Sequence, residues 1–413
     1  MKRVALVLVL AILVVSSFLV CAAPAAPALS GEAPIVSKYP DLKPLADFVG
    51  EQNLSVLNLV GFKAADSAMK ELKFEKGDAN ILALTDAGYI AKIGEYTTEK
   101  ALDGVIMTAG VSDGKGTLVN IHKPYDSPLW FAFFDKSSND CVYLEAGSEV
   151  LKTYMDREKT GRDAALLDFM KLEDKEIFTR IAKENIGAEG LISNPEAWQE
   201  KMVSGVFGGN EFTLITVANL WAKGLPDDFL KAVELHDHIC PGLFSGYLIA
   251  EYVKEKLPTS DTQEYTIIAI PPWCKEDALI QILGTNVGHK KLYVMGLTAE
   301  QKGQLPKVAK NVANIIIRWD EAAKTGDGIV VAFDWDKAYE GIGTNAKEFS
   351  SMDTYKWWWT RLKMDIWIMD YLDKPEELIS TIKTFSVTTP AEINKLTSAG
   401  VNPLVEIGIM PKP

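Results

Sequence analysis

The sequence predicts an α+β protein made of two similar α/β units, each with helices packed on a mainly antiparallel sheet, the pair arranged as a pseudo-dimer. Three observations carry this expectation. The chain has 413 residues, 47% of them hydrophobic, enough for two substantial cores at an ordinary domain size of roughly 150 to 190 residues. Four sequence blocks recur in the same order in the two halves, the mark of an internal duplication. Each half also holds a hairpin pattern, two β-rich runs about a polar turn.

At the start of the chain, Lys2 and Arg3 precede V-A-L-V-L-V-L-A-I-L-V-V-S-S-F-L-V and the small residues C-A-A-P-A-A-P-A. That is the pattern of an export signal with its cleavage site. We expect a signal peptide over 1–22, an Ala/Pro-rich spacer over 23–37, and a mature protein in the periplasm, on the cell surface or outside the cell. An uncleaved anchor is the alternative, because the apolar run is nearly long enough to span a bilayer. The membrane is a partner only in that case. Val20 is bulkier than the residue expected ahead of a lipidated Cys21.

The first unit is expected over 38–215 and the second over 225–400, with a short connection near Glu211 to Asp228. The first block is the apolar helix holding Gly61-Phe62, matched by the helix holding Gly246-Tyr247. This alignment puts Glu51, Asn53 and Ser55 in the places of His236, His238 and Cys240. The second block pairs D-G-V-I-M-T-A-G-V-S-D-G-K-G-T-L-V with D-A-L-I-Q-I-L-G-T-N-V-G-H-K-K-L-Y, so Asp103 answers Asp277, Gly114 answers Gly288, and Lys100 stands for Cys274. The third is the hairpin, W-F-A-F-F-D-K-S-S-N-D-C-V-Y-L-E against I-I-I-R-W-D-E-A-A-K-T-G-D-G-I-V-V-A-F-D. The fourth pairs L-L-D-F-M-K-L-E-D-K-E-I-F-T-R-I with W-I-M-D-Y-L-D-K-P-E-E-L-I-S-T-I.

The chemistry concentrates in the second unit. V-E-L-H-D-H-I-C-P-G-L-F-S-G places two of the four histidines beside one of the four cysteines. As an extended segment, His236, His238 and Cys240 would alternate onto one side, where imidazole nitrogen and thiolate suit a borderline metal ion. Pro241 and Gly242 open a helix, whose N-terminus should lower the Cys240 pKa. Cys274 follows the strand-like T-I-I-A-I and precedes another helix. With it the set becomes four ligands, a closed tetrahedral zinc-type site; three would leave a position for water or substrate.

These residues resemble the molybdenum formylmethanofuran dehydrogenase operon protein family. The likeness rests on H-D-H-I-C-P-G with its Gly-Tyr helix, His236 to Tyr247, and on C-x-x-D followed by G-T-x-x-G, Cys274 to Gly288. It covers roughly Leu225 to Thr384. The resemblance implies a metal-binding α+β domain with His236, His238, Cys240 and Cys274 as metal positions and Asp277 and Thr285 as accompanying polar residues. It implies no settled reaction, since a fold does not fix a function. His289 stands where many members carry lysine, and no C-x-x-C occurs in this chain.

The expected cofactor is one transition metal ion, zinc first, with nickel, cobalt or copper also suited to these ligands. With an open position, Asp277 or His289 would be the catalytic candidates, orienting a group or exchanging a proton. With all four ligands bound, a metal carrier or structural metal domain is expected. The rival is a metal-free module that binds a small molecule or partner and carries a Cys240–Cys274 disulfide, as an oxidising compartment allows. Cys141, in a β-rich run, reads as a buried apolar residue. The net charge of −13 excludes nucleic acid as a partner, for want of a concentrated basic surface. G-I-G-T-N-A at Gly341 reads as a glycine-containing loop. In Y-K-W-W-W-T-R-L-K-M-D-I-W-I-M-D-Y-L, Trp358, Leu362, Ile366 and Met369 form a core stripe, leaving Trp357 or Trp359 to wall a ligand pocket. His122 reads as structural.

Overall fold

The computed structural model describes residues 35–89, 91–352 and 354–412. The expected signal peptide, and the spacer apart from residues 35–37, lie outside them. Among the described residues, no helix is long and apolar enough to cross a membrane.

In the first unit, α1 (Val56–Leu72) starts at Ser55 through a reciprocal cap: Ser55 Oγ accepts the Asn58 N–H, and Asn58 Oδ1 accepts the Ser55 N–H. β1 (Ile81–Thr85), α2 (Lys100–Ala109), β2 (Leu118–Asn120), the hairpin β3 (Trp130–Asp135) and β4 (Asp140–Ala146), α3 (Ser148–Lys171) and β5 (Phe178–Asn185) follow. The sheet runs β2-β1-β3-β4-β5, parallel at β1–β2 and antiparallel elsewhere.

Two helices, α4 (Glu211–Ala222) and α5 (Asp227–His236), lead into the second unit. There α6 (Pro241–Lys256), β6 (Gln263–Ala269), α7 (Lys275–Leu283), β7 (Leu292–Val294), the hairpin β8 (Val312–Asp320) and β9 (Thr325–Phe333), α8 (Lys356–Ile368) and β10 (Ile379–Val387) repeat the series. The sheet runs β7-β6-β8-β9-β10, with β6–β7 parallel and the rest antiparallel. Strand for strand, this is the order and pairing of the first unit. The repeated hairpin is β3–β4 in one and β8–β9 in the other. A pseudo-dimeric relation between the units is a proposal resting on that shared topology.

Strand alternation divides the interior. In β1, Ile81 and Ala83 enter a core with Val60 and Ala64 of α1 and Phe169 of α3, whereas Leu82 and Leu84 enter another. That second core is continuous from Trp130 and Tyr143 through Leu214 and Ala218 of α4 to Phe244 of α6 and Ile267 and Ile316 of the second sheet. One apolar interior therefore joins the halves, as a closely packed pair requires. The connection at Glu211 is no simple link: α4 is buried from Thr213 to Leu220, its apolar residues facing the core and its buried Thr216 and Asn219 hydrogen-bonded, Thr216 donating to Phe212 O and Asn219 to Ile186 O and Ile215 O. The far face of the second sheet packs Ile268, Ile315 and Val330 against Leu396, Leu404 and Met410. Gly341 closes the helix Trp335–Gly341 rather than a strand-to-helix turn, in keeping with a simple glycine-containing loop.

Asp86, just after β1, is wholly buried; Oδ1 accepts the Trp130 N–H at 3.1 Å and Oδ2 has no partner among the described residues. Burial, opposed by that N–H, pushes its carboxyl up to about 7. As pH rises from about 4 to about 7, the unfolded chain releases this proton and the folded one keeps it, so stability falls across the window. Asp86→Asn should flatten the slope by up to roughly 4 kcal/mol between pH 4 and pH 7.5 in urea unfolding. An unchanged slope would show that Asp86 ionises freely in the fold.

Candidate metal centre

The centre forms where α5, α6 and α7 meet. α5 stops at His236 because Asp237 takes a left-handed backbone (φ 71°) and returns its N–H to Val233 O at 2.8 Å, a conformation aspartate tolerates better than most residues. The expected extended run from His236 to Cys240 is therefore not found. His236 ends a helix, and Cys240 meets it across the turn, as the N-cap of α6 with Pro241 in the first turn. Cys274 caps α7. Two glycines let α6 and α7 close: a Cβ on Gly246 would collide with Lys275 O, and one on Gly242 would stand 2.8 Å from Cys274 Cβ. Behind Cys274, the buried Lys275–Glu276 pair (2.7 Å) fixes the loop, with Glu276 accepting the Trp273 N–H at 2.6 Å.

One ligand atom each from His236, Cys240 and Cys274 lies within 4.8 Å of the other two. Cys240 Sγ and His236 Nε2 are 3.8 Å apart, against about 3.6 Å for sulfur and nitrogen sharing a tetrahedral zinc ion. The residues present thus fit a metal ion. Asp277 Oδ2 lies 2.7 Å from His236 Nδ1. A carboxylate can only accept, so Nδ1 carries a hydrogen and Nε2 is the nitrogen turned toward sulfur, free to bind a metal once its own proton is displaced. This is the carboxylate–histidine arrangement that orients a metal-binding imidazole.

Electrostatics divide the two thiols unequally. Cys274 is pushed down to about 4, first by the hydrogen bond from Cys240 and, against burial, by His236. Cys240, wholly buried and donating to Cys274, is raised well above the ordinary thiol range. Negative charge is therefore drawn toward Cys274 and not toward the Cys240 that the helix N-terminus suggested. Burial opposes charge on His236, but Asp277 and Cys274 outweigh it and raise the ring to about 9. Cys240 and Cys274 are both free thiols, with no disulfide between them. Cys141 is buried in β4, where burial raises its thiol, as an apolar role requires.

His238 stands beside this group rather than within it. Its ring centroid is 4.5 Å from that of His236, and its Nδ1 lies 2.5 Å from Asp237 Oδ1. Lys123, from the first unit, holds Asp237 at 2.8 Å, and with His238 it draws the carboxyl down to about 2 against the effect of burial. Phe212 packs on His238 at 5.1 Å and on Trp357 at 5.0 Å, so Trp357 walls this side. Trp358 and Trp359 instead donate to Gln199 Oε1 and Ile192 O, docking α8 on the segment between the units. Thr285 is buried and bonded to Leu279 O at 3.2 Å, which closes α7. His289 is exposed and its ring faces Asn286 at 3.2 Å; none of its contacts among the described residues reaches the sulfurs. His122 stacks on Tyr89 at 4.4 Å, a structural role.

Sequence reasoning missed Arg361 and Asp365. Arg361, on α8, lies within electrostatic reach of both cysteines, with Nη1 tied to Trp357 O at 2.5 Å and Phe349 O at 3.2 Å. Asp365 is wholly buried with neither carboxyl oxygen hydrogen-bonded among the described residues, and burial pushes its carboxyl up. The signal was present: Asp365 falls on the Trp358–Leu362 stripe, where a charged residue among apolar ones implies a special environment. Asp277→Asn should keep the fold and cost about 10- to 100-fold in metal affinity, measured by competition with a chromophoric chelator; wild-type affinity would deny Asp277 its orienting role.

No curated protein matches this chain. Residues 235–380, from the last turn of α5 to the start of β10, match the family model described as FmdE, Molybdenum formylmethanofuran dehydrogenase operon, a span that holds His236, His238, Cys240 and Cys274 together.

Proposed function

We propose that this is an exported metal-binding protein whose second unit holds one transition metal ion, zinc foremost, through His236, Cys240 and Cys274, with one coordination position left open. The observation that carries the reading is the aligned series Asp277–His236–Cys240, a carboxylate fixing the ring whose other nitrogen faces a sulfur at 3.8 Å. His238 is the candidate for the remaining position. If it stays on Asp237, that position belongs to water or to a small molecule walled by Trp357, and the ion can polarise what binds there. The match to FmdE over 235–380 supports metal binding and names no reaction. Export rests on Lys2, Arg3 and the apolar run behind them.

Metal analysis of protein purified without added metal or chelator, with a free-thiol count, tests this reading. Near-stoichiometric metal that persists in His238→Ala and disappears in His236→Ala is the expected result. Loss in both variants would close the site with four protein ligands and favour a carrier. Metal-free protein in which Cys240 and Cys274 react only after reduction would overturn the reading in favour of a disulfide-bearing binding module.

A further inference from the structure

The first unit keeps the frame of the metal centre without its ligands. Ser55 caps α1 as Cys240 caps α6, with nearly the same backbone angles (φ −136°, ψ 165° against φ −149°, ψ 163°). Gly61 abuts Ala101 O as Gly246 abuts Lys275 O, so Lys100 stands at the place of Cys274. Around Ser55 and Lys100 lies a cavity of about 430 Å³, within the range of about 300 to 1,000 Å³ usual for small-molecule sites.

Its walls carry three cations, Lys100, Lys159 and Arg162, and three carboxylates, Glu95, Glu99 and Glu158. Most are already engaged. Lys159 is held by Glu95 at 3.0 Å and Asp156 at 3.3 Å, Arg162 donates to Leu54 O and Glu51 O, and Glu158 accepts the Val56 N–H at 3.0 Å. Two donors are left over among the described residues: the Lys100 ammonium, which has Asp103 in electrostatic reach but forms no ion pair, and the Leu57 N–H in the first turn of α1. One acceptor is lightly used, the Glu99 carboxylate, which takes only the Thr97 hydroxyl at 2.7 Å. Leu57 and Met155 are buried and apolar, and Tyr96 adds a ring.

We propose that this cleft binds a zwitterionic amino acid with an apolar side chain. Its carboxylate meets Lys100 and the Leu57 N–H, where the helix N-terminus favours negative charge. Its ammonium meets Glu99, and its side chain lies on Leu57, Met155 and Tyr96. The two groups left over select a zwitterion: a purely anionic ligand would leave Glu99 unmatched, and a purely cationic one Lys100.

Calorimetric titration of the whole mature protein with L-leucine, L-methionine and L-phenylalanine tests this, beside N-acetyl-L-leucine and L-leucinamide, which carry one charge each. At least one free amino acid should bind saturably. The singly charged analogues should bind at least tenfold more weakly than leucine, and Lys100→Ala and Glu99→Gln, both at exposed positions, should each weaken binding at least tenfold with metal content unchanged. The proposal falls if none of the three amino acids binds at millimolar concentration, if either analogue matches leucine, or if both variants bind as wild type does.

Discussion

Cys274→Ser is expected to weaken metal binding by roughly a thousandfold, about a third of the ~12 kcal/mol typical of a cysteine- and histidine-held zinc ion. The hydroxyl of serine stays protonated at neutral pH, whereas Cys274 is already a thiolate above about 4. The same protonation pattern sets the pH dependence. His236, raised to about 9, and Cys240, raised well above the usual thiol range, both hold protons at pH 7 that a metal must displace. Uptake should therefore release about two protons, and apparent affinity should rise about a hundredfold per pH unit between pH 6 and pH 8. Cobalt titrations read both effects through the thiolate-to-metal absorption band. Unchanged affinity in Cys274→Ser would remove Cys274 from the ligand set, and a flat pH profile would remove His236 and Cys240.

Gly246→Ala and Gly61→Ala should each destabilise the fold by about 3 kcal/mol, the scale of forcing atoms into a close-packed contact. At an exposed helical position the same change would stabilise by about 1 kcal/mol, so the sign is diagnostic. Each glycine faces a backbone carbonyl, Lys275 O or Ala101 O, which cannot move aside without shifting a helix. The two variants should part company at the metal. Gly246→Ala pushes α7 and Cys274 away from α6, and should cost affinity as well as stability; Gly61→Ala acts in the other unit and should leave metal content intact. Chemical denaturation and metal analysis on the same samples read both. Neutral or stabilising effects would mean that the helices are not in contact at these residues.

Much of the frame was legible from local pattern. Pro241 after Cys240 marks a helix start, T-I-I-A-I marks β6, and a polar turn between two β-rich runs marks each hairpin, because these signals lie within a few residues of one another. The repeat was legible for the same reason: Gly61 and Gly246 hold equivalent helix crossings that nothing but glycine fits. What failed was conformation decided by a single residue. Alternation predicts an extended segment from His236 to Cys240, and the left-handed Asp237 makes it a helix end and a turn instead.

The sequence by itself determined the two similar units, the α+β class and the convergence of scarce His and Cys residues, since spacing and hydrophobic period are properties of the chain. The tertiary structure alone decided which cysteine carries the negative charge, that His238 pairs with Asp237 beside the cluster, and that Arg361 and Asp365 of α8 face it. Those outcomes depend on burial and on charges brought together from residues more than a hundred positions apart, such as Lys123 and Asp237, and no local pattern records which distant group a folded chain will set beside a sulfur.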